Sequence, residues 1–331
     1  MRPLIGVSIL GYGVEPIVSV VIPAFNASCY IGETVASVLT QTMAALEVIV
    51  IDDGSADSTG AIVRAISDDR VRLLSRSNGG VSAARNAGIR EARARRFVAF
   101  LDADDCWDAE KLQRQIAFLD EHPTSVVTGC LMRYVSSTGR ILGRSGHVVT
   151  AADRRAIAQA ELFPFPTSSF LVRRDVLETV GGFDESLGRP SGGAEDLDLL
   201  ARLAQAGEVA CVPSILGSYR IHPGSAMARD RLRINREARF VRRRLAVRSK
   251  GGDLTREAFA ATCPETWRER RQDCVELAYR TAALWFGEGR PLKALRYGAL
   301  AAVVDPFYTY RRLHLQWLGR AGRLARRATA T

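Results

Sequence analysis

The chain has 331 residues, 47% hydrophobic and 25% charged, which suits one large globular domain with an appendage and excludes a wholly disordered chain. The net charge of +10 is uneven: residues 226–331 hold 24 Lys and Arg against 10 Asp and Glu, and residues 1–225 hold 22 against 26. The basic character belongs to the C-terminal third, so it carries no argument that the main domain binds a polyanion.

The opening MRPLIGVSILGYGVEP, residues 1–16, has one Arg and a short apolar stretch broken by glycines, without a small-residue cleavage site. It is predicted to be a short N-terminal extension rather than a signal peptide. Ile17–Ile22 is a β-branched run that predicts a buried strand ended by Pro23. A helix over 31–40 follows, with Val35, Val38 and Leu39 on one face, then a second buried strand at Leu46–Ile51. Asp52-Asp53-Gly54-Ser55 closes that strand, and Ser58 or Thr59 is placed to cap a helix running through Ile66. A short strand at Val71–Leu74, the loop Ser77-Asn78-Gly79-Gly80, a helix over 82–93 and a strand at Phe97–Leu101 complete the first half. The alternation of strand and helix predicts an α/β unit around a Rossmann-like, mainly parallel sheet flanked by helices. Ligands bind beyond the carboxyl ends of such strands, where every polar loop named above falls.

A helix over 109–121 comes next, then strands at 126–135 and 141–149 around the turn Ser137-Thr138-Gly139. After the loop Phe163-Pro164-Phe165-Pro166 the pattern gives a strand at 170–172, a helix at 176–180, a helix at 195–206 and a strand at 208–212. From Ala226 onward it is helical. Ile234, Ala238, Val241 and Leu245 form one face, Val275, Ala278, Ala282 and Trp285 another, and Leu292, Leu295, Ala299 and Ala302 a third. The last two stretches flank Gly287–Pro291, a stop followed by a start, which predicts a helical hairpin. The chain ends in a tail with six Arg from Arg311 to Arg327, beside Trp317, Leu318 and Leu324.

The six cysteines form no CxxC pair and no zinc spacing, so each is expected to be a reduced, buried small side chain in a cytoplasmic protein. No apolar run reaches the roughly 18 residues of a transmembrane helix.

Two acidic clusters carry chemistry. Asp102, Asp104 and Asp105 directly follow a buried strand. Like charges so close need compensation, and a divalent cation supplies it. A solvated turn with capping aspartates is the plain alternative, and the position at the ligand edge favours the metal. Asp53, also at a strand end, is placed to accept a hydrogen bond from a base imide or a ribose hydroxyl, although Asp and Gly favour turns in any case.

The segments VSVVIPAFN (18–26), EVIVIDDGSADST (47–59), NGGVSAARNAGI (78–89), FLDADD (100–105), GGFDESL (181–187), EDLDLLARL (195–203) and YRIHPGS (219–225) occur in one order. In that order the chain resembles family-2 glycosyltransferases from about Ile17 to Ser225. The resemblance implies a GT-A fold over residues 17–225, with a nucleotide half over 17–105 and an acceptor half over 106–225, followed by a basic helical extension over 226–331. It implies that Pro23, Ala24 and Phe25 flank the base of a nucleotide-sugar donor and that Asp53 bonds a uracil-like imide. A thymine shares that imide edge, and guanosine stays open. Arg85 would lie near the nucleotide phosphates, with a structural ion pair as its alternative. Asp102 would face the ribose or the metal, and Asp104 would ligate Mn²⁺ or Mg²⁺ with His222 near it. Asp105 is read as a helix cap. Asp196 matches the catalytic base of a single inverting displacement, and N-capping of its helix is compatible with that role. Glu195 is read as positioning the acceptor or the neighbouring loop.

The acceptor implied is a carbohydrate or lipid-linked hydroxyl, as in cell-surface polysaccharide or glycolipid synthesis. The amphipathic, Arg-rich extension suits an anionic membrane surface at the inner face, a dimer contact or a cover over the acceptor site. Nucleic acid is not expected, because no base-reading motif accompanies the charge. The alternatives are a nucleotidyltransferase, which would carry an early glycine-rich phosphate loop where PAFN stands, and a non-catalytic sugar-nucleotide-binding scaffold. A dinucleotide oxidoreductase is weaker, since Gly11 and Gly13 precede the first strand.

Overall fold

A computed structural model describes residues 15–187, 193–225 and 230–310. The β-branched runs become strands with both faces covered: β1 (Val18–Ala24) and β2 (Leu46–Asp52) are buried along their whole length. Alternate residues serve opposite layers. Val18, Val20, Ile22, Val48 and Val50 pack against α1 (Ile31–Leu39) and α4 (Lys111–Glu121). Val21, Ile49 and Ile51 pack on the other face with α3 (Val81–Glu91), α6 (Arg174–Val180) and α7 (Glu195–Ala206). The approach of α3 is close: a Cβ added at Gly88 would overlap the Val21 side chain.

Among the described residues the sheet has nine strands. β3 (Val71–Ser75), β2, β1 and β4 (Phe97–Phe100) are mutually parallel. The sheet then continues through β8 (Leu171–Arg173), β6 (Ser125–Val135), β9 (Glu208–Arg220) and β5 (Cys106–Trp107), with β7 (Ile141–Ser145) also on β6. The α/β class holds. The expected parallel arrangement describes the first half, while in the second only β6–β9 is parallel and the other ladders are antiparallel.

Several boundaries move for physical reasons. Pro23 does not end β1. It still pairs across from Ile51, and its missing N–H faces the side where β4 has already stopped at Phe100. The expected strand at 208–212 extends to Arg220, because the register shift between Val212 and Ile215 absorbs Pro213 and Ser214 as a bulge. The helix α2 (Thr59–Arg64) is not capped by the side chain of Ser58 or Thr59. Asp57 Oδ1 accepts from the Thr59 amide at 3.0 Å.

The C-terminal part contains α8 (Arg231–Arg248), α9 (Arg256–Thr262), α10 (Trp267–Gly287) and α11 (Pro291–Val304). α8 docks on α7 through Phe240, Val241 and Leu245 against Leu197 and Ala201. The α10–α11 hairpin contradicts one expectation. Leu292, Leu295, Ala299 and Ala302 are exposed, and α11 meets α10 through the small Ala294 and Ala301. Of the cysteines only Cys130 and Cys211 are buried; all six are free, and Cys29 and Cys274 are exposed. No helix among the described residues is long and apolar enough to cross a membrane. Gly11, Gly13 and the tail with its six Arg, Trp317, Leu318 and Leu324 lie outside the described residues.

Candidate active site

The parallel strands end on one edge, and their last residues begin the site. β1 delivers Pro23 and Ala24, followed by Phe25, whose ring is about half exposed. β2 delivers Asp52 and Asp53. The Asp53 carboxylate is buried and accepts from the amides of Gly79 (3.0 and 3.1 Å) and Gly80 (2.8 Å), with Arg76 Nε at 3.1 Å. Gly80 makes this possible with a φ of 86°, which side-chain-bearing residues rarely adopt. Asp53 therefore ties the end of β2 to the N-terminus of α3.

β4 delivers the acidic run, whose three carboxylates take three different partners. Asp102 Oδ1 receives Arg85 Nη2 at 2.8 Å. Asp104 Oδ2 meets His222 Nε2 at 2.9 Å. Asp105 is fully buried: its Oδ1 accepts the Arg220 amide at 2.7 Å, and its Oδ2 finds no well-aligned hydrogen-bond donor among the described residues. Burial, then the neighbouring Asp104 and Asp102, raise its pKa well above the ordinary carboxylate range. The expectation that Asp105 caps a helix fails, since β5 follows it directly and α4 begins only at Lys111. Its carboxylate ties the acidic turn to the end of β9 instead.

Arg85, on α3, is buried and central. Nη2 binds Asp102, Nη1 binds Glu195 Oε1 at 2.9 Å, and the guanidinium lies 5.0 Å from the centre of the Phe183 ring. Burial works against its charge, but Asp102 and Glu195 outweigh burial and raise its pKa. Glu195 is at the start of α7, and its Oε2 accepts the amides of Gly193 and Ala194 at 2.6 and 3.1 Å. Ala194 carries a φ of 146°, a strained conformation that these bonds help hold.

Asp196 follows. It is not the N-cap of α7, a position that Ala194 occupies. Its Oδ1 accepts the Leu197 amide at 2.7 Å and its Oδ2 accepts Thr167 Oγ1 at 3.0 Å. Burial, then the charge of Glu195, push its pKa up to about 6, with Arg85 pulling the other way. The residue as a whole stays partly exposed. A carboxylate raised to that range is suited to take a proton near neutral pH.

Two groups of site residues are not evident in the sequence pattern. The turn Thr167–Ser169 touches both acidic elements: Thr167 donates to Asp196, and Ser168 Oγ accepts the Asp102 amide at 3.1 Å. Behind it, Trp107 Nε1 donates to Ser168 O and Gln115 Nε2 to Ser169 O. Nothing in the spacing marks this turn, because its partners are 66 and 29 residues away. Arg220 is the second. It lies over Tyr30 and reaches Asp104 O, Ser137 O and Glu33. Its position beside Tyr219 in the YRIHPGS segment was the available signal.

Among the described residues no three His, Cys, Asp or Glu side chains converge on one point as a ready-made metal cage. Asp104 and His222 meet, while one Asp102 oxygen is held by Arg85. Mg²⁺-like ions take one or two carboxylates and complete their shell with phosphate oxygens and water. Asp104, His222 and the free oxygen of Asp102 could supply part of such a shell and not the whole of it.

Residues 19–181 match the model described as Glycosyl transferase family 2. The chain is 40% identical over 114 residues to the UDP-Glc:alpha-D-GlcNAc-diphosphoundecaprenol beta-1,3-glucosyltransferase WfgD of Escherichia coli, covering 34% of this chain and 45% of that one. It is 35% identical over 226 residues to the succinoglycan biosynthesis protein ExoO of Rhizobium meliloti, covering 63% and 62%. The chain thus spans less than two thirds of the length of either relative. The crystal structure of S. aureus TarS 1–349 in complex with UDP-GlcNAc superposes with a TM-score of 0.55 at 21% identity, over 86% of this chain and 91% of that one. That likeness shows a common GT-A-like α/β fold.

Proposed function

Through residues 19–181 the chain belongs to glycosyl transferase family 2, and from that premise we propose that it moves a sugar from a UDP-linked donor to an acceptor hydroxyl in polysaccharide or glycolipid assembly. The observation that carries the reading is one connected network. The partly exposed Asp196, raised to about pH 6, adjoins Glu195, which binds Arg85, which in turn binds Asp102 at the end of β4. A proton acceptor and an acidic strand end are thereby held in one rigid frame.

In this reading the uridine base lies beside the Pro23-Ala24-Phe25 turn and Asp53, whose carboxylate already accepts from the Gly79 and Gly80 amides and Arg76 and keeps about one of its roughly four lone-pair sites for the imide. Asp196 removes the acceptor proton, the hydroxyl oxygen attacks the anomeric carbon from the face opposite the diphosphate, and the configuration inverts. Thr167 and the Leu197 amide orient the carboxylate for that step. Asp104 and His222, with Asp102 beside them, would hold Mn²⁺ or Mg²⁺, which when bound neutralises the leaving diphosphate. The donor class draws support from WfgD, named for a UDP-glucose donor and a diphosphoundecaprenol acceptor, and from TarS, crystallised with UDP-GlcNAc.

The test is calorimetric titration of the full chain with a panel of nucleoside diphosphate sugars, with and without Mn²⁺. UDP-linked donors should bind, and Mn²⁺ should tighten them. Indifference to both the base and the metal would contradict the donor assignment.

A further inference from the structure

The outer face of α11 is a large apolar surface that no described part of the chain covers. Leu292, Leu295 and Val303 are 78%, 70% and 80% exposed, and Ala299 and Leu300 lie on the same side. At 100° per residue these positions fall within an arc of about 140°, with Lys293 on its edge and Arg296 inside it between Val303 and Leu300. Soluble monomers rarely leave so many large apolar side chains grouped in water. α11 spends its small residues, Ala294 and Ala301, on the inner contact and presents its large ones outward.

Charge decides what the face meets. Residues 291–331 hold eight Lys and Arg against the single Asp305, which pairs with Arg271. A second copy packed on this face about a two-fold axis would bring cations against cations. An anionic lipid surface satisfies the apolar arc and the cations together.

We infer that α11 lies in the plane of an anionic bilayer, with its Leu292–Leu295–Val303 face in the headgroup boundary. The hairpin carrying it is tied to the candidate active site. Glu288, between α10 and α11, accepts from the Ser137 amide and hydroxyl at 3.0 and 2.6 Å, and Ser137 O accepts from Arg220, whose own amide binds Asp105. Docking this face would hold the acidic strand end, through Ser137 and Arg220, at a fixed place relative to the bilayer surface, where a lipid-linked acceptor would present its hydroxyl. Only that last consequence rests on the proposed sugar transfer; the lipid contact stands without it.

The test is co-sedimentation of the full chain with vesicles of phosphatidylglycerol and phosphatidylcholine, and with phosphatidylcholine alone, beside the triple variant Leu292→Glu, Leu295→Glu, Val303→Glu. The chain should bind the anionic vesicles, release them in high salt and bind the neutral ones weakly. The triple variant, checked for an unchanged circular dichroism spectrum and unchanged nucleotide binding, should lose at least tenfold in vesicle affinity. Failure of the full chain to bind anionic vesicles, or undiminished binding by the folded triple variant, overturns the inference. So does a concentration-dependent dimer that the triple variant splits while vesicles leave both proteins in solution. None of these outcomes depends on whether sugar is transferred.

Discussion

The sheet edge and the C-terminal hairpin handle their unfavourable groups in opposite ways. At the edge, charges are drawn inside and compensated: Arg85 and Glu195 are both buried and bind each other, and Asp53 is buried against two amides. On the hairpin, apolar side chains are pushed outside with nothing among the described residues to cover them. Buried charge is costly unless paired with good geometry, so a chain retains it where orientation matters. Exposed apolar area is likewise costly in water, and it persists where another surface is to be met. The first region is built for chemistry within the molecule, the second for contact beyond it.

The largest effect should come from removing the cation that joins the two acidic elements. Arg85→Met leaves Asp102 and Glu195 facing each other without compensation. We expect a loss of about 3–5 kcal/mol in chemical denaturation, whereas a loss below 1 kcal/mol would show the network to be superficial. Arg85→Lys should recover little, since one ammonium cannot serve both carboxylates in the same planar fork.

The next effect concerns pH. Asp196 must be ionised to act as a base, and its raised pKa moves the acid limb of the rate upward to about pH 6. Transfer should be flat above pH 7 and fall about tenfold per unit well below pH 6. A rate still flat at pH 4.5 would contradict the role. The sign for stability is the reverse: a carboxyl whose folded pKa exceeds its unfolded value favours folding while protonated, and that contribution is lost as pH rises through about 6. Asp196→Asn should accordingly stabilise the fold at pH 7.5, on the order of 1–3 kcal/mol.

A smaller change is expected at the turn that touches both elements. Thr167→Val removes one hydrogen bond to the Asp196 carboxylate, worth about 1.5 kcal/mol or about tenfold in rate. It should lower kcat and shift the acid limb further upward while leaving donor KM unchanged. A change confined to KM would assign Thr167 to substrate binding instead. The smallest effect is on the hairpin: Leu295→Gln should alter thermal stability by no more than about 0.5 kcal/mol, as for an ordinary surface substitution. A large loss there would mean that α11 is part of the folded core after all.

The same contrast explains what could be read from the sequence. The strands at β1, β2 and β4 and the acidic residues beyond them were legible because a β-branched run followed by Asp and Gly leaves few structural options. The partners of those residues were not. Thr167, Ser168 and Arg220 reach Asp196, Asp102 and Asp105 only through the sheet topology, and no short-range pattern encodes such contacts. Asp105 looked like a helix cap because its neighbours are polar, and its bond to β9 comes from across the sheet. For α11, periodicity identified an apolar face but not its direction. Two alanines on the opposite side gave the closer helix contact, and the leucines were left outside.

The central claim, that Asp196 is the base of a sugar transfer, is most directly tested by single-turnover transfer from a UDP-linked donor by Asp196→Asn, with donor affinity measured on the same protein. Transfer should fall by about 10²–10⁴-fold with donor affinity essentially retained. Transfer at the unsubstituted rate would contradict it.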